Sequence, residues 1–321
     1  MSVSQIDVPK PAGPAADRAD ARRRARGRRE ARWPAYVFLT PWMIGAVAVT
    51  LVPMAVSLYL SFTSYDMFNA PHWVGLRNYR EMLFDDPRYW RSVLTTLKYV
   101  VIAVPLKLAL ALGAALLLKR LRAGRGFYRS AFYAPSLLGA SMSIALVFRA
   151  LFNDGGTVDN VLGTFGIHLG GWVGDPHLAT FVVVMLTIWQ FGAPMVIFLA
   201  GLQQISPELY EAAGLDGAGA WRQFVSITVP MLSPVVFFNL VLEMIQSFQV
   251  FTPAFVVSGG NGGPADSTLF YTLYLYERGF TASHMGYASA MAWLMLLAIA
   301  AVTAVMFKVS RAWVFYADEA E

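Results

Sequence analysis

Long uncharged stretches limit how this chain can fold more than any other feature. Residues 35–62 contain no Asp, Glu, Lys or Arg, and the stretch exceeds the roughly 20 residues that a helix needs to cross a bilayer. Backbone polar groups in lipid must be paired within the chain, so such stretches predict helices, whereas barrel strands would show short alternating segments. The composition, 57% hydrophobic and 14% charged, is also typical of membrane proteins. We therefore predict an all-α membrane protein.

Six long apolar stretches, three of them uncharged and three with a single charged residue each, predict six transmembrane helices. They cover residues of about 35–62, 99–118, 130–152, 178–202, 231–257 and 286–307. The charged residues inside them are Lys107, Arg149 and Glu243. A further apolar stretch, 269–276, is too short to cross and is rich in tyrosine, which predicts a position at the lipid–water interface.

The distribution of Lys and Arg predicts the orientation in the membrane. The connection between the second and third helices carries a dense basic cluster: Lys119, Arg120, Arg122, Arg125 and Arg129. Because Lys and Arg concentrate in short cytoplasmic loops, we predict that this loop is cytoplasmic. The same orientation places both chain termini in the cytoplasm.

The two terminal segments are predicted to be tails outside the membrane domain. Residues 1–34 are rich in Arg and poor in large apolar side chains, which predicts a disordered cytoplasmic tail. A basic cluster directly before a transmembrane helix typically fixes topology and contacts anionic lipid, so we predict no nucleic-acid partner. Residues 310–321 form a second, short cytoplasmic tail.

The predicted cytoplasmic loop 204–230 has the pattern of two short helices. Ser206 is a favourable N-cap, Pro207 suits the first helical position, and glycines from position 214 onward end the helix. A second helix over 220–227 is predicted to end at Pro230. Adjacent small alanines would let another protein surface approach closely. The loop therefore predicts a docking element.

The residues of this loop resemble the EAA loop of ABC-importer permeases. The matching positions are Glu211, Ala212, Ala213, Gly217, Ile227 and Pro230. Val229 stands where leucine is usual, which is a conservative change. The stretch 75–79 (Gly-Leu-Arg-Asn-Tyr) and the stretch 262–264 (Gly-Gly-Pro) are similar to the carbohydrate-uptake branch, which includes maltose-type and multiple-sugar permeases.

The resemblance implies a fold, partners and a mechanism. It implies a type I ABC importer permease with a coupling helix between transmembrane helices four and five, in the plasma membrane of a bacterium. The implied partners are an ATPase dimer, a second homologous permease and an extracytoplasmic solute-binding protein. The matching loop residues would dock on the ATPase, which binds ATP and drives alternating access.

The chain itself carries no pattern of an enzyme. It has no Gly-Lys pair and hence no P-loop, so ATP would be bound by the partner and no cofactor is predicted. Cysteine is absent. The histidines at 72, 168, 177 and 284 lack metal-ligand spacing, so no metal or catalytic site is predicted.

Polar residues inside the predicted helices are candidates for the solute pathway, because such groups are costly in lipid. Asn239, Glu243 and Gln246 recur at helical spacing, and Ser247 lies beside them. Trp189 and Gln190 could add an aromatic face and an amide for a sugar or oligosaccharide.

Several alternatives remain open for these residues and for the function. Each polar residue could instead bond between helices, and Lys107, Arg149 and Glu243 could be structural pairs or an ion pathway. A glycerol-phosphate or polyol importer is the nearest alternative, although no central arginine pair is present. A secondary transporter would need an internal repeat, which we do not find.

Overall fold

The structure, a computed structural model, describes residues 32–121, 123–139, 141–167 and 170–315. The chain divides into two compact units after Tyr59. Residues 1–31 and 316–321, which make up most of the two predicted tails, lie outside the described residues. The first described helix begins at Arg32, and the last transmembrane helix ends at Ser310.

The described residues contain enough long apolar helices for six membrane crossings. Four are single helices: Val37–Ser61, Pro87–Arg120, Ala220–Phe248 and Met285–Ser310. Two are bent pairs: Arg125–Leu138 with Met142–Thr164, the latter made of the helices Met142–Phe152 and Thr157–Thr164, and Ala179–Trp189 with Gly192–Gln204. We number these spans one to six in chain order.

Shorter elements connect the spans. The helical ones are Arg77–Arg80, Glu81–Asp85, Pro207–Leu215, Thr252–Ser258, Pro264–Asp266, Tyr271–Tyr276 and Glu277–Thr281. After span one, strands Thr63–Ser64 and His72–Trp73 pair antiparallel, with Thr63 opposite Trp73. The connection between spans four and five, residues 205–219, contains the helix Pro207–Leu215 and is called the coupling loop below.

Span one belongs almost entirely to the first unit. Its apolar side chains are exposed along its length, for example Phe38 at 84% and Val49 at 76%. A helix with this much exposed apolar surface suits contact with lipid or with another apolar surface.

Span two begins twelve residues earlier than the uncharged stretch predicted. Asp86 caps its N-terminus, because its carboxylate accepts hydrogen bonds from the backbone N–H groups of Arg88 (3.0 Å) and Tyr89 (3.2 Å). Pro87 occupies the first helical position. At 34 residues the helix is about 51 Å long, so it extends well past a hydrocarbon core of about 30 Å.

Spans three and four are each broken, and their breaks meet. The two halves of span three, which end at Leu138 and begin at Met142, lie at 95° to each other, and span four bends by 42° after Trp189. The Gln190 side chain donates to the Gly139 carbonyl (3.1 Å), while Ser136 Oγ donates to the Gln190 carbonyl (3.0 Å). A Cβ on Gly139 would lie 2.2 Å from the Gln190 side chain, so glycine permits this approach. Side-chain bonds thus satisfy backbone groups at the breaks.

Span five differs from its predicted boundaries at both ends. The helix runs without interruption from Ala220 through Pro230, so the prediction that Pro230 ends a separate helix was wrong. A widened π-helical turn, Phe224–Thr228, in which the Val229 N–H bonds to the Phe224 carbonyl, carries the chain past the proline. The span ends at Phe248 rather than at 257, and Thr252–Ser258 forms a separate helix.

Span two is the central helix of the second unit. It packs against both halves of span four, against span five and against Tyr271–Tyr276. The 269–276 stretch does not cross the membrane, as predicted. However, Leu273 and Tyr274 are at most 2% exposed, so this part of the stretch is buried in protein rather than placed at a lipid interface.

Candidate functional site

The coupling loop contains a short helix that is capped at both ends by hydrogen bonds within the loop. Ser206 Oγ accepts the Glu208 N–H (3.3 Å) at the start. At the end, Gly217 is left-handed (φ +75°), its N–H bonds to the Gly214 carbonyl (3.0 Å), and the Ala218 N–H bonds to the Ala213 carbonyl (2.9 Å). This pair of bonds is a Schellman motif, which requires the positive φ that glycine adopts most easily.

The predicted docking residues lie mainly on the exposed side of this loop. Glu211, Ala212 and Gly217 are exposed, and Ala213 is half-buried. Ile227 and Pro230 lie beyond the loop, half-buried at the start of span five. The loop residues thus form an accessible small surface, whereas Ile227 packs against the main core cluster.

Two large apolar side chains enlarge this exposed surface. Leu215 is 91% exposed at the end of the helix, and Trp221 is 76% exposed just after the loop. The Trp221 ring packs at 5.7 Å from Phe224. Neither residue was predicted to take part in docking, although a leucine in a loop of small and polar residues, with a tryptophan just after it, is a usable signal for a docking surface.

Tyr210 ties the coupling loop to two spans at once. Its hydroxyl is 2.9 Å from Thr228 Oγ1 in span five, and Lys119 Nζ of span two lies 4.8 Å from the centre of its ring. The Tyr210 carbonyl also accepts from Gln223 Nε2 (3.4 Å). Its role was not predicted, because only the fold brings these elements together.

Two cavities with polar side chains in their walls lie beside span five. The larger, of about 220 Å³, is bounded by spans two, four and five and by residues 249–253. The smaller, of about 120 Å³, lies further along span five towards the coupling loop. Side chains common to both cavities are Lys107, Gln190, Glu243 and Gln246. These residues therefore form the wall between the two cavities.

Five of the six predicted pathway residues line these cavities. Gln190, Glu243 and Gln246 line both, Ser247 lines the larger, and Asn239 lines the smaller. Trp189 lies outside the described lining of both cavities, and its role in the pathway stays a prediction.

The Trp189 ring packs 5.6 Å from Phe148 in an apolar cluster, outside the described lining of either cavity. The larger cavity gains Tyr99 and Thr187, whose hydroxyl groups lie 2.7 Å apart. Both residues were missed because a single hydroxyl in an apolar stretch resembles a core residue.

Lys107 and Glu243 form a buried ion pair. Lys107 Nζ is 2.8 Å from Glu243 Oε2, and each side chain is 7% exposed. Arg149 belongs to a different place, because it donates to the Val256 carbonyl (3.1 Å) at the end of the short helix Thr252–Ser258. The three charged residues of the predicted spans therefore do not form one continuous chain.

A second polar cluster joins the start of span two to the segment before span six and to span six itself, at the end of the spans opposite the coupling loop. Asp86 accepts from the hydroxyl groups of Tyr274 (2.5 Å) and Tyr287 (2.6 Å) and from Arg278 (3.2 Å). Burial raises the pKa of Asp86, but the hydrogen bonds from Tyr274, Tyr287 and the Tyr89 backbone and the charge of Arg278 together outweigh it, so the pKa lies below its ordinary value of 3.8. Beside it, Arg88 pairs with residues that follow span five.

Comparison with known proteins identifies the family. Residues 87–316 match the model of the binding-protein-dependent transport system inner membrane component. The chain belongs to this family. The permease is 44% identical over 304 residues to the probable ABC transporter permease protein YesP of Bacillus subtilis (strain 168), covering 94% of this chain and 98% of the relative.

A second relative and a solved structure agree with this assignment. The permease is 30% identical to the probable starch degradation products transport system permease protein AmyD of Thermoanaerobacterium thermosulfurigenes, covering 84% and 91% of the two chains. It also resembles a chain of a bacterial ABC transporter involved in the import of the acidic polysaccharide alginate, with a TM-score of 0.74, 21% identity and coverage of 90% and 99%.

The family and the fold confirm the main sequence predictions. The permease is a multi-pass membrane component of an ABC transport system, and its fold is that of a type I importer permease. The roles of the coupling and cavity residues stay predictions.

Proposed function

We propose that this permease imports a sugar or oligosaccharide, using ATP hydrolysed by a partner ATPase. The name of the relative AmyD, which refers to starch degradation products, supports this class of solute. The lining of the larger cavity also supports this class of solute, and it is the main observation behind the proposal.

The cavity lining favours a neutral solute with many hydroxyl groups. The lining side chains of Gln246 and Ser247 are uncharged donors and acceptors, and that of Gln190, whose amide nitrogen donates to two backbone carbonyls, keeps its amide oxygen as an acceptor. The cation at this wall, Lys107, is neutralised by Glu243. A phosphate ester would need a net positive lining to compensate its desolvation, so the arrangement disfavours the glycerol-phosphate alternative.

The proposed coupling surface is the exposed face of the helix Pro207–Leu215. Glu211 and the adjacent small residues would enter a cleft of the ATPase, with Leu215 and Trp221 as apolar anchors beside it. Exposed large apolar side chains of this kind typically lose water in an interface. In the proposed assembly, this face is cytoplasmic, a second permease completes the pathway, and an extracytoplasmic binding protein delivers the solute.

Uptake by proteoliposomes with the partner subunits tests the solute class. We expect ATP-dependent uptake of labelled malto-oligosaccharides and none of glycerol 3-phosphate. Gln246→Ala should raise the half-saturating solute concentration about fivefold, since one net hydrogen bond contributes about 1 kcal/mol. The matched control, Asn160→Ala, removes an exposed amide away from the cavities. Unchanged uptake by both Gln190→Ala and Gln246→Ala would show that the cavity assignment is wrong.

A further inference from the structure

Spans two and five are joined by polar contacts at two levels. At the coupling loop, Tyr210 binds Thr228 of span five through its hydroxyl and Lys119 of span two through its ring. Deeper in the membrane domain, Lys107 of span two pairs with Glu243 of span five. The same two spans therefore carry both contacts.

The spacing of these contacts is similar on the two spans. Lys107 and Lys119 are twelve residues apart, or about 18 Å along a helix, and Thr228 and Glu243 are fifteen residues apart, or about 22 Å. Between the contacts, Ala111 of span two is fully buried in the main core cluster. A small buried side chain permits close helix packing, so the two contacts act on helices that are already in a tightly packed region.

The ion pair is costly to separate. Both side chains are 7% exposed, so parting them would leave two charges with little water to replace the lost partner. An ion pair of this kind tends to remain intact while the neighbouring parts of the protein move. The pair also lies on the wall of both cavities, where a displacement would alter the lining.

We infer that spans two and five move as one unit, and that Tyr210 and the Lys107–Glu243 pair carry the displacement of the coupling loop to the cavity wall. The inference rests on the proposed function, because it assumes that the loop moves with an ATPase. Tyr210 and Lys107 are then positioning residues. The opposite arrangement is a gate, in which Lys107 and Glu243 must separate for a solute to pass.

Cross-linking distinguishes a moving unit from a gate. The chain contains no cysteine, so Lys107→Cys with Glu243→Cys supplies the subunit's two thiols, and both positions can be reached from the larger cavity. The full complex is assembled with the partners' reactive thiols removed, and a short bifunctional thiol reagent ties the two spans. The same protein treated with a monofunctional reagent of similar size controls for occupancy of the cavity.

ATP hydrolysis by the assembled complex is the main measurement, because it needs motion of the spans but no room for a solute. We expect the linked complex to keep at least half the rate of the control. A fall to background that occurs only with the bifunctional reagent would overturn the inference. Failure of the proposed function would appear separately, as absence of ATP-dependent malto-oligosaccharide uptake before any reagent is added.

The contact at the coupling loop is tested by a double-mutant cycle. Tyr210→Phe keeps the ring but loses the hydroxyl, and Thr228→Val removes the other partner. We expect each variant to bind the ATPase normally but to transport severalfold less sugar per ATP, with the double variant no worse than either single one. Tyr133→Phe in span three is the control. Wild-type coupling in Tyr210→Phe would contradict the inference.

Discussion

Replacing Glu243 by glutamine should be among the most destabilising single changes in the membrane domain. At 2.8 Å the pair gains about 6 kcal/mol of Coulomb energy with an effective dielectric constant of 20. Desolvation of the two ions costs several kcal/mol each, so the net contribution of the intact pair is small. Removing one partner is different, because the desolvation cost of the other remains.

Glu243→Gln leaves the ammonium group of Lys107, 7% exposed, without its counter-ion. The expected loss is about 3–5 kcal/mol of unfolding free energy, or roughly 150- to 5,000-fold in the folding equilibrium constant. Lys107→Met combined with Glu243→Leu removes both charges and should cost far less, because apolar side chains of similar size suit the buried site.

The measurement is equilibrium unfolding of the purified permease in mixed detergent micelles, followed by tryptophan fluorescence. Glu208→Gln makes the same chemical change on the exposed coupling loop and should shift stability by no more than about 0.5 kcal/mol. A loss below about 1 kcal/mol for Glu243→Gln would refute the reasoning, since it falls well below the 3–5 kcal/mol expected for an unpaired buried charge. Equal loss in the double apolar variant would refute it as well.

Three further predictions follow from other parts of the membrane domain. Asp86→Asn should lower the melting temperature at pH 7. The difference from the wild type should shrink as the pH falls below about 4, because the folded protein stabilises the ionised carboxylate and this contribution is lost on protonation. Thermal melts from pH 7 to 3 test this. Gly139→Ala should cost about 1–3 kcal/mol by steric overlap, whereas Gly113→Ala, whose Cβ would meet nothing within 4 Å, should be neutral or stabilising in the same unfolding assay. Gly217→Ala should cost about 1–2 kcal/mol of loop stability through its positive φ and weaken ATPase co-purification, while Gly219→Ala should leave co-purification unchanged.

The sequence predicted the number and type of spans well because each is an apolar stretch. It misplaced the start of span two because the helix carries Arg88, Arg91 and Lys98 before its apolar part begins. A search for long uncharged stretches leaves out the first turns of span two, because they contain these charged residues. The N-cap residue Asp86, followed by proline, was the local signal that could have corrected the boundary.

The breaks in the spans could not be predicted from periodicity. The break at Gln190 depends on a partner, Gly139, that lies about fifty residues away in the chain. Span five shows the converse case, since Pro230 was expected to end a helix but a π-helical turn absorbs it. The first case depends on a tertiary hydrogen bond, whereas the second depends on a local i→i−5 bond that an apolar pattern does not distinguish from the α-helical one.

The candidate site was predictable only in part, because helical spacing can be read from the sequence but tertiary partners cannot. Polar residues spaced along span five could be recognised from helical spacing, and most line the cavities. Trp189 adjoins Gln190 in the chain but packs against Phe148, because neighbouring residues on a helix project in different directions. The partner of Glu243 could not be chosen from sequence, because it lies 136 residues away.

Sugar uptake with and without a functional coupling loop tests the central claim most directly. Proteoliposomes containing the permease and its partners are assayed for malto-oligosaccharide uptake, comparing the wild type with Glu211→Arg and with Leu215→Asp. We predict uptake that requires ATP in the wild type, and loss of both ATPase binding and uptake in the variants. Uptake that persists without ATP, or after ATPase binding is abolished, would contradict the account.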